Sequence, residues 1–274
     1  MHAMSKIALM TVAAMVLPNP VAAQTDYFNT DAGRPIRVED AYAIERRAFE
    51  LQVAPLRLER ARGGAYRWGV EPELAIGLLP RMQVEVGFPI VHSEGGRNRS
   101  TALGGVEMSA LYNLNVETRL PALAVVADMV LPIGSASPAE AVPSLKAVAT
   151  KTWPLLRVHV NAQRTFADDA ATSRPARVGT APAHAEFSRW MTGVAIDKTM
   201  PLRSMLLTGE VVLSAPMERD EPRRVDIASG MRYQLSPRVA FDAGGGYRLR
   251  GEEPGWFVTT GAAVAIGFPW MPRR

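Results

Sequence analysis

Five short segments centred on proline punctuate the chain, and each lies between two stretches in which every second residue is apolar. They are Leu79-Pro80-Arg81, Leu120-Pro121-Ala122, Trp153-Pro154-Leu155, Met200-Pro201-Leu202 and Ser236-Pro237-Arg238. Consecutive segments leave room for two strands and one further loop, and no apolar run of helix length interrupts them. This spacing predicts an all-β fold in which antiparallel strands follow one another up and down.

The chain begins with the features of a secretory signal. Lys6 precedes an apolar run over residues 7–17, prolines end that run, and small residues follow up to Ala23. We therefore predict a signal peptide over residues 1–23, cleaved near Ala23, and leave it out of the fold. A signal anchor is the alternative, but the run is too short to cross about 30 Å of hydrocarbon as a helix.

No later segment is apolar over the roughly 18 residues that a membrane-spanning helix requires. The alternation offers another way through a membrane, because closed barrels also satisfy every backbone group within lipid. Val70 and Leu74, for example, share one face of a strand while Glu71 and Glu73 share the other. We predict a single antiparallel transmembrane β-barrel. The predicted parts are the barrel over residues 48–268 and a tail over residues 269–274.

The pattern fits about twelve strands of about ten residues, the length that a tilted strand needs to cross a bilayer. An even number places both chain ends on the periplasmic side, where the short proline turns are also expected. In the first strand, the parity of the apolar residues switches at Ala54-Pro55, which predicts a β-bulge. The alternate connections are longer and polar, and we predict them to be outer loops. They cover residues 92–101, 134–141, 167–185 and 216–223.

Aromatic residues fall near the predicted strand ends, as expected for rings that sit at membrane interfaces. The predicted outer girdle comprises Trp68, Phe88, Trp190, Tyr247 and Trp256, and the periplasmic girdle comprises Tyr112, Trp153, Tyr233 and Phe268. The alternative is that these rings cap the core of a soluble protein. The segregation of short turns from long loops favours the membrane interpretation.

Charged and polar residues at alternate positions are predicted to face the lumen and to set its selectivity. These candidates are Glu71, Glu73, Glu85, Glu107, Asp128, Lys146, Arg157, His159, Arg189, Glu210, Asp226, Arg232, Asp242 and Arg248. Both signs of charge are present, so neighbours can pair across strands, unlike in a wide pore lined by one sign. Twelve strands enclose a lumen intermediate between a barrel filled by side chains and an open porin. It has room for a small solute, a plug or a constricted pore.

A charged segment, residues 24–47, precedes the first predicted strand. Within it, residues 37–47 have the composition of one short charged helix, which would enter the lumen as a plug and pair with its wall. A solvated periplasmic tail is the equal alternative. Three consecutive glycines, residues 244–246, lie inside a strand pattern, where they would let the wall bend or a plug approach closely.

Several classes of function lack their chemical signature in this sequence. The chain has no cysteine, which excludes disulfides and thiolate metal sites. Its formal charge of +4 is dispersed, whereas a nucleic-acid-binding protein clusters its lysines and arginines on one face. His92, His159 and His184 have serines nearby at positions 93, 173 and 188, but none forms a nucleophile motif. Since no metal-ligand spacing or phosphate-binding loop occurs either, we predict no enzyme activity, no catalytic or metal site and no cofactor.

Six strand and turn motifs carry a family resemblance that covers nearly all of the chain after residue 23. They are Phe49-Glu50-Leu51-Gln52, Glu71-Pro72-Glu73-Leu74, Gly77-Leu78-Leu79-Pro80-Arg81, Val84-Glu85-Val86-Gly87, Leu131-Pro132-Ile133-Gly134 and Pro254-Gly255-Trp256-Phe257. With these motifs the chain resembles the outer-membrane transporter family named after the meta-pathway of phenol degradation; Ile133 stands where that family's LPTG strand end has threonine. The resemblance implies passage of small, often hydrophobic or aromatic, compounds. The motifs specify the barrel better than the cargo.

We therefore expect an outer-membrane β-barrel that serves as a passive channel or transporter for small molecules. The expected partners are outer-membrane lipid, a small solute and the barrel-assembly machinery, but no nucleic acid. A non-conducting structural or binding barrel is the main alternative, and an outer-membrane enzyme acting on lipid comes third. The enzyme would need a serine within hydrogen-bond reach of His159 or His184.

Overall fold

The computed structural model of the protein describes residues 30, 34–60, 66–95, 98–168, 171, 187–251 and 255–267. The predicted signal peptide, Phe268, the carboxy-terminal tail and the loop that contains His184 lie outside the described residues. Among those that are described, no helix is long and apolar enough to cross a membrane.

Antiparallel strands make up most of the described chain. They are β1 (Ala48–Arg60), β2 (Tyr66–Val70), β3 (Glu73–Leu79), β4 (Met82–Gly87), β5 (Ile90–Gly95), β6 (Asn98–Leu103), β7 (Val106–Asn113), β8 (Ala122–Leu131), β9 (Val142–Thr152), β10 (Arg157–Thr165), β11 (Ser188–Thr199), β12 (Met205–Pro216), β13 (Arg224–Ser236), β14 (Val239–Arg250) and β15 (Trp256–Gly267). Neighbours pair antiparallel, and β1 also pairs with β15, so the sheet closes on itself. A stave is here one lane of the barrel wall from one end of the barrel to the other. Three staves consist of two strands in succession, namely β2 with β3, β4 with β5 and β6 with β7. The closed barrel therefore has twelve staves, and the predicted twelve-strand fold is confirmed.

Side chains alternate between the two faces of the wall, as the parity of the sequence predicts. On β11, Val194 and Ile196 are 46% and 52% exposed, whereas Asp197 is 2% exposed. On β12, Val211 is 52% exposed and the neighbouring Glu210 only 7%. Apolar residues thus cover the outside while charged residues are buried inside, which is the arrangement of a barrel that faces lipid.

The first strand changes parity where the sequence predicts a bulge. The pairing of β1 with β15 shifts register between Val53 and Leu56. Gln52 and Arg57 are both buried, although one has an even and the other an odd number. The predicted β-bulge is confirmed, and it keeps the apolar residues of both halves of the strand on the outside.

The five proline segments each join two paired strands at the same end of the barrel. Four of the connections are short, but Pro121 ends a longer one over residues 114–121. The outer loop predicted for residues 92–101 is wrong, because β5 and β6 continue through it and pair as far as Gly95 and Asn98. In sequence this stretch contains only polar residues and glycine, so alternation of hydrophobicity stops there while backbone pairing continues.

The three interrupted staves lie side by side and break at neighbouring positions. The breaks occur at Glu71-Pro72, Phe88-Pro89 and Gly104-Gly105. Proline has no amide hydrogen to donate, but its carbonyl oxygen still accepts. The Phe88 amide donates to Pro72 at 3.0 Å, and the Gly104 amide donates to Pro89 at 2.7 Å. Phe88 therefore lies directly after β4, at the interruption of its stave, and its place in a girdle stays a prediction.

Candidate functional site

Residues 34–47, here called the inner segment, run inside the barrel. We distinguish a first half (residues 34–38) and a second half (residues 41–47). As the chain proceeds, its partners on the wall move from β14 around the circumference to β3. Ile36 and Val38 are 2% and 0% exposed. The inner segment therefore fills part of the interior of the barrel.

The helix predicted for residues 37–47 is wrong, because the inner segment has neither helical nor strand structure there. Its backbone groups bond to side chains of the wall. The Glu39 amide donates to Asn161 Oδ1 at 3.0 Å, and Asn161 Nδ2 donates back to the Glu39 carbonyl oxygen at 2.9 Å. Partners of this kind satisfy the backbone groups that a helix would pair internally.

Wall carboxylates hold the first half. They are Glu50, Glu210, Asp226 and Asp242. Glu210 Oε2 accepts two successive backbone amides, from Arg37 at 2.9 Å and from Val38 at 2.8 Å. The Arg37 guanidinium lies 3.0 Å from Asp226 Oδ2. Arg34 lies 3.5 Å and 3.6 Å from the two remaining carboxylates, so this half is held mainly by charge.

Neutral side chains of the wall hold the second half. The Ala41 amide donates to Thr150 Oγ1 at 3.0 Å, and the Ala41 carbonyl oxygen accepts from Asn113 Nδ2 at 2.7 Å. The Ile44 amide donates to Gln83 Oε1 at 2.8 Å. Because these partners lie on β9, β7 and β4, the second half is tied to three different staves.

Two charged residues between the halves face wall residues of opposite charge. The Glu39 carboxylate accepts from Lys146 Nζ at 2.5 Å. Asp40 Oδ2 lies 3.7 Å from Arg157 Nη1. All four residues are more than nine-tenths buried. A buried charge is strongly destabilising unless a group of opposite charge lies beside it, and each of these residues has such a partner.

His159 is fully buried between two wall residues. Its Nε2 lies 3.0 Å from Asp197 Oδ2, and its Nδ1 lies 2.9 Å from Thr150 Oγ1. The hydroxyl, the imidazole and the carboxylate therefore form a chain of hydrogen bonds, as in a nucleophilic triad. The Thr150 hydroxyl is however 0% exposed and already accepts the Ala41 amide, and no serine in the described part of the chain bonds to His159. We assign this group to the structure of the wall.

Glycines on the inner face make room for the inner segment. A Cβ atom on Gly193 would lie 2.5 Å from Val38 Cγ2, and one on Gly230 would lie 2.6 Å from Pro35 Cβ. On Gly244 it would lie 2.9 Å from the Pro35 carbonyl oxygen. Of the two roles predicted for the glycine run at 244–246, close approach of a plug is thus observed at its first residue. A larger side chain at these positions would displace the inner segment.

A side-chain hydrogen bond ties the inner segment to the connection between β7 and β8. The Tyr42 hydroxyl donates to Glu117 Oε2 at 3.0 Å. The same carboxylate accepts the amide and the hydroxyl of Thr152, both at 2.8 Å, and lies 3.0 Å from Lys151 Nζ. Burial alone would raise the pKa of Glu117, but these hydrogen bonds outweigh it and lower the pKa to about 2. Glu117 is therefore charged at neutral pH.

A cleft, here called the arginine cleft, opens on the side of the inner segment away from the proline turns. Its charged lining residues are Arg37, Arg57, Glu59, Arg60, Arg67, Asp226 and Arg248. Asp226 Oδ1 accepts from Arg248 Nε at 2.8 Å, while its Oδ2 accepts from Arg37 Nη1 at 3.0 Å. Arg57 pairs with Glu59 on the same strand. The arginine cleft therefore borders the inner segment through Arg37.

Twelve of the fourteen predicted lumen residues lie on strands at positions that face inward, while Glu71 lies between β2 and β3 and Arg189 lies at the register shift of β11. Thirteen of the fourteen form two groups. One group lies on neighbouring staves and comprises Glu71, Glu73, Glu85, Glu107 and Asp128. The other lies around the inner segment and the arginine cleft and comprises Lys146, Arg157, His159, Glu210, Asp226, Arg232, Asp242 and Arg248. Arg189 stands apart, and its Nε donates to the Pro216 carbonyl oxygen at 2.8 Å. The sequence analysis missed the uncharged partners Gln83, Asn113, Thr150 and Asn161. Their polar side chains at inward positions were the available signal.

The predicted girdle residues differ in exposure. Trp68, Tyr112, Trp153 and Tyr247 are exposed, while Trp190, Tyr233 and Trp256 are half-buried. Neighbouring groups cover part of two of these rings. The Arg223 guanidinium lies 5.6 Å from the Trp190 ring centroid, and the Tyr66 and Trp256 ring centroids are 6.1 Å apart. Their role at a membrane interface remains a prediction.

Three solved structures share the architecture. The KdgM porin is 10% identical, with 79% of this chain and 98% of that chain covered and a TM-score of 0.50. The NanC porin is 7% identical, with 77% and 98% covered and a TM-score of 0.54. The COG4313 outer membrane channel from Pseudomonas putida F1 is 11% identical, with 86% and 100% covered and a TM-score of 0.52. No protein-family model and no curated protein sequence matches the chain. At these identities the likeness establishes the fold, that of porin-like outer-membrane barrels.

Proposed function

We propose that this chain is an outer-membrane channel for the passive passage of small molecules and that the inner segment is its gate. The apolar outer surface, the polar lumen and the fold shared with outer-membrane porins support this function. Insertion by the barrel-assembly machinery follows from it. The resemblance to the transporter family named after the meta-pathway of phenol degradation supports small hydrophobic or aromatic compounds as cargo.

The observation that carries the proposal is the way in which the inner segment is held. Its backbone is bound by separate polar side chains of many staves and not by a continuous strand ladder. One such hydrogen bond contributes about 1 kcal/mol net. Release of the inner segment therefore breaks side-chain contacts and leaves the ladder of the wall intact. Its carboxy-terminal end stays attached, because β1 begins at Ala48.

A reversible disulfide lock tests whether the inner segment gates the lumen. The chain has no cysteine, and a Cβ atom on Gly193 would lie 2.5 Å from Val38 Cγ2. We expect Val38→Cys combined with Gly193→Cys to form a disulfide that fixes the inner segment to β11. The protein is refolded into liposomes, and the flux of ions and of small neutral aromatics is measured before and after reduction. The two single variants are measured under the same conditions: Val38→Cys should conduct like wild type, and Gly193→Cys, whose added side chain meets Val38 and displaces the inner segment, should conduct in both redox states.

A gate predicts little flux in the oxidised double variant and restored flux on reduction, with neither single variant responding to reductant. Equal flux in the oxidised and reduced states would overturn the gating role and leave a pore beside a fixed inner segment. The channel proposal would be refuted if neither wild type nor any variant conducts while a gel shows heat-modifiable, folded barrels. A non-conducting structural or binding barrel would then take its place.

A further inference from the structure

The end of the barrel that carries the five proline segments is apolar. We call it the turn rim and define it by residues 79–81, 114–121, 151–156, 198–204 and 235–238, all of which the structure describes. Each proline segment has a leucine in it or directly before it that is 50–70% exposed, namely Leu79, Leu120, Leu155, Leu202 and Leu235. An exposed apolar surface of this extent marks a contact with a membrane or with another protein.

The apolar outer surface of the wall runs on into the turn rim without a break. Leu114 and Leu235 have the same parity as Tyr112 and Tyr233 of the predicted periplasmic girdle and, like them, face outward. Each leucine lies two residues beyond its tyrosine, which is about 7 Å along a strand. The headgroup region of a bilayer is about 5–7 Å thick on each side of the hydrocarbon. If the rings lie at the edge of the hydrocarbon, the turn rim therefore lies among the headgroups.

The turn rim is also basic. A lysine or arginine lies within three positions of each of the five prolines, and Lys198 adds a further charge on the outward face of β11. The six basic residues are Arg81, Arg119, Lys151, Lys198, Arg203 and Arg238, and within these ranges the acidic residue is Glu117. The exposed residues 45–47, at the same end of the barrel, contribute one glutamate and two arginines. The net charge at this end is therefore positive.

Two of these arginines lie on either side of Leu155. Arg119 belongs to the connection between β7 and β8, and Arg203 to the connection between β11 and β12. Since β8 pairs with β9 and β10 pairs with β11, the turn that contains Leu155 lies between them. Both arginines are exposed, and none of the residues that the structure describes forms an ion pair with them. An exposed leucine flanked by two such guanidinium groups matches a lipid that has an acyl chain and a negative headgroup.

We infer that the turn rim lies in the inner leaflet of the outer membrane and binds anionic phospholipids there. The leucines contact the acyl chains, and the basic residues meet the phosphates. Continuity with the outer surface of the wall favours lipid over a periplasmic protein with an acidic surface, and the positive charge favours anionic over zwitterionic headgroups. The inference goes beyond the proposed channel function and does not depend on conduction.

A fluorophore on Leu155→Cys tests the inference in the folded protein. The chain has no other cysteine, so the label is specific. The protein is refolded into phosphatidylcholine vesicles that contain either phosphatidylglycerol or phosphatidylcholine with a nitroxide near the headgroup, and the ratio of quenching gives the relative affinity of the two lipids. Arg119→Gln is combined with Arg203→Gln to remove both flanking charges. Arg250→Gln is the matched control, because Arg250 is exposed at the opposite end of β14.

We expect phosphatidylglycerol to bind beside Leu155→Cys about fivefold more tightly than phosphatidylcholine, which corresponds to about 1 kcal/mol. The preference should fall to at most about twofold in the double arginine variant, disappear near 1 M salt and persist in Arg250→Gln. Equal quenching by the two lipids in the parent protein, or a preference that survives in the double variant, would overturn the inference. Quenching by neither lipid, with a heat-modifiable folded barrel on a gel, would place the turn rim in water and favour a periplasmic protein as its partner.

Discussion

The two halves of the inner segment are held inside the barrel by different kinds of partner. Four wall carboxylates bind the first half, through Arg34, Arg37 and two backbone amides at Glu210. Threonine, asparagine and glutamine side chains bind the backbone of the second half. Charged contacts are stronger than neutral ones and respond to ionic strength and to competing ions. The two halves should therefore respond to different stimuli.

The difference also indicates where opening begins. The first half borders the arginine cleft, and it is the half whose contacts an anion can replace. The second half continues directly into β1 and is bonded to three staves by groups that no ion displaces. Release should start at the first half, with the second half acting as a tether.

Glu210→Ala should have the largest effect on the inner segment. It removes the acceptor of two buried amides, and each unsatisfied amide costs about 1–3 kcal/mol. Val38→Cys provides the reporter, because the chain has no other cysteine and Val38 is 0% exposed. We expect the Val38→Cys thiol to react with a water-soluble maleimide about a hundredfold faster when Glu210→Ala is added.

Glu210→Gln is the matched control for this comparison. Its amide oxygen can still accept both amides, so labelling should rise far less than in Glu210→Ala. Equal labelling of the two variants would show that the negative charge of Glu210, and not its acceptor geometry, holds the first half. Labelling as slow as in the parent protein would refute the role of Glu210 altogether.

Thr150→Val tests the second half in the same reporter background. Valine has the shape of threonine but no hydroxyl, so the Ala41 amide and His159 Nδ1 each lose a partner while packing is kept. A neutral hydrogen bond contributes about 1 kcal/mol, and we expect labelling to rise at most about tenfold. The rise should be the same at low and at high salt. A rise as large as that of Glu210→Ala would break the distinction between the two halves.

Salt should loosen the first half only. The Arg37 side chain is 25% exposed and its contact with Asp226 is a partly hydrated ion pair, worth about 1 kcal/mol or less. Raising the ionic strength from about 0.1 to 1 M shortens the screening length from about 10 to 3 Å. We expect labelling to increase a few-fold in the parent reporter protein and to become insensitive to salt in Arg37→Gln. Unchanged salt dependence in Arg37→Gln would assign the effect to other charges.

The barrel could be predicted from the sequence because its wall follows a simple rule. Every stave places apolar side chains in one direction and polar ones in the other, so parity alone identified the twelve staves and the bulge near Val53. The interruption of three staves was missed, because the apolar pattern continues across each break. Pro72 and Pro89 inside strand patterns were the available signal, since proline removes a ladder donor.

The inner segment could not be predicted in detail, since its conformation depends on distant residues. Its composition favours a helix, but Asn161, Thr150 and Gln83 supply backbone partners from positions far away in the sequence. Inward-facing glycines such as Gly193 report a close approach without naming the approaching residue. Charge directed the sequence analysis to the ionic contacts and away from these neutral ones.

The smallest expected effect comes from acid, and it acts on the second half. Against the effect of burial, hydrogen bonds from Thr152 and Lys151 do most to lower the pKa of Glu117 to about 2, and the bond from Tyr42 adds the smallest part. Only that smallest part favours the docked inner segment, because Thr152 and Lys151 belong to β9 and stay bonded to Glu117 after release. It is lost as the pH falls through about 2, and conductance in planar bilayers should rise modestly there in the parent protein.

Glu117→Gln separates this contact from other acid-sensitive groups. It should abolish the part of the pH response that depends on Glu117, and Tyr42→Phe should do the same because both variants remove the charge-assisted bond between the two residues. The response should remain small in any case, since the second half keeps its neutral partners at every pH. A large conductance increase that survives in both variants would mean that acid acts on the carboxylates of the first half. The first half would then be the more pH-sensitive as well as the more salt-sensitive part of the gate.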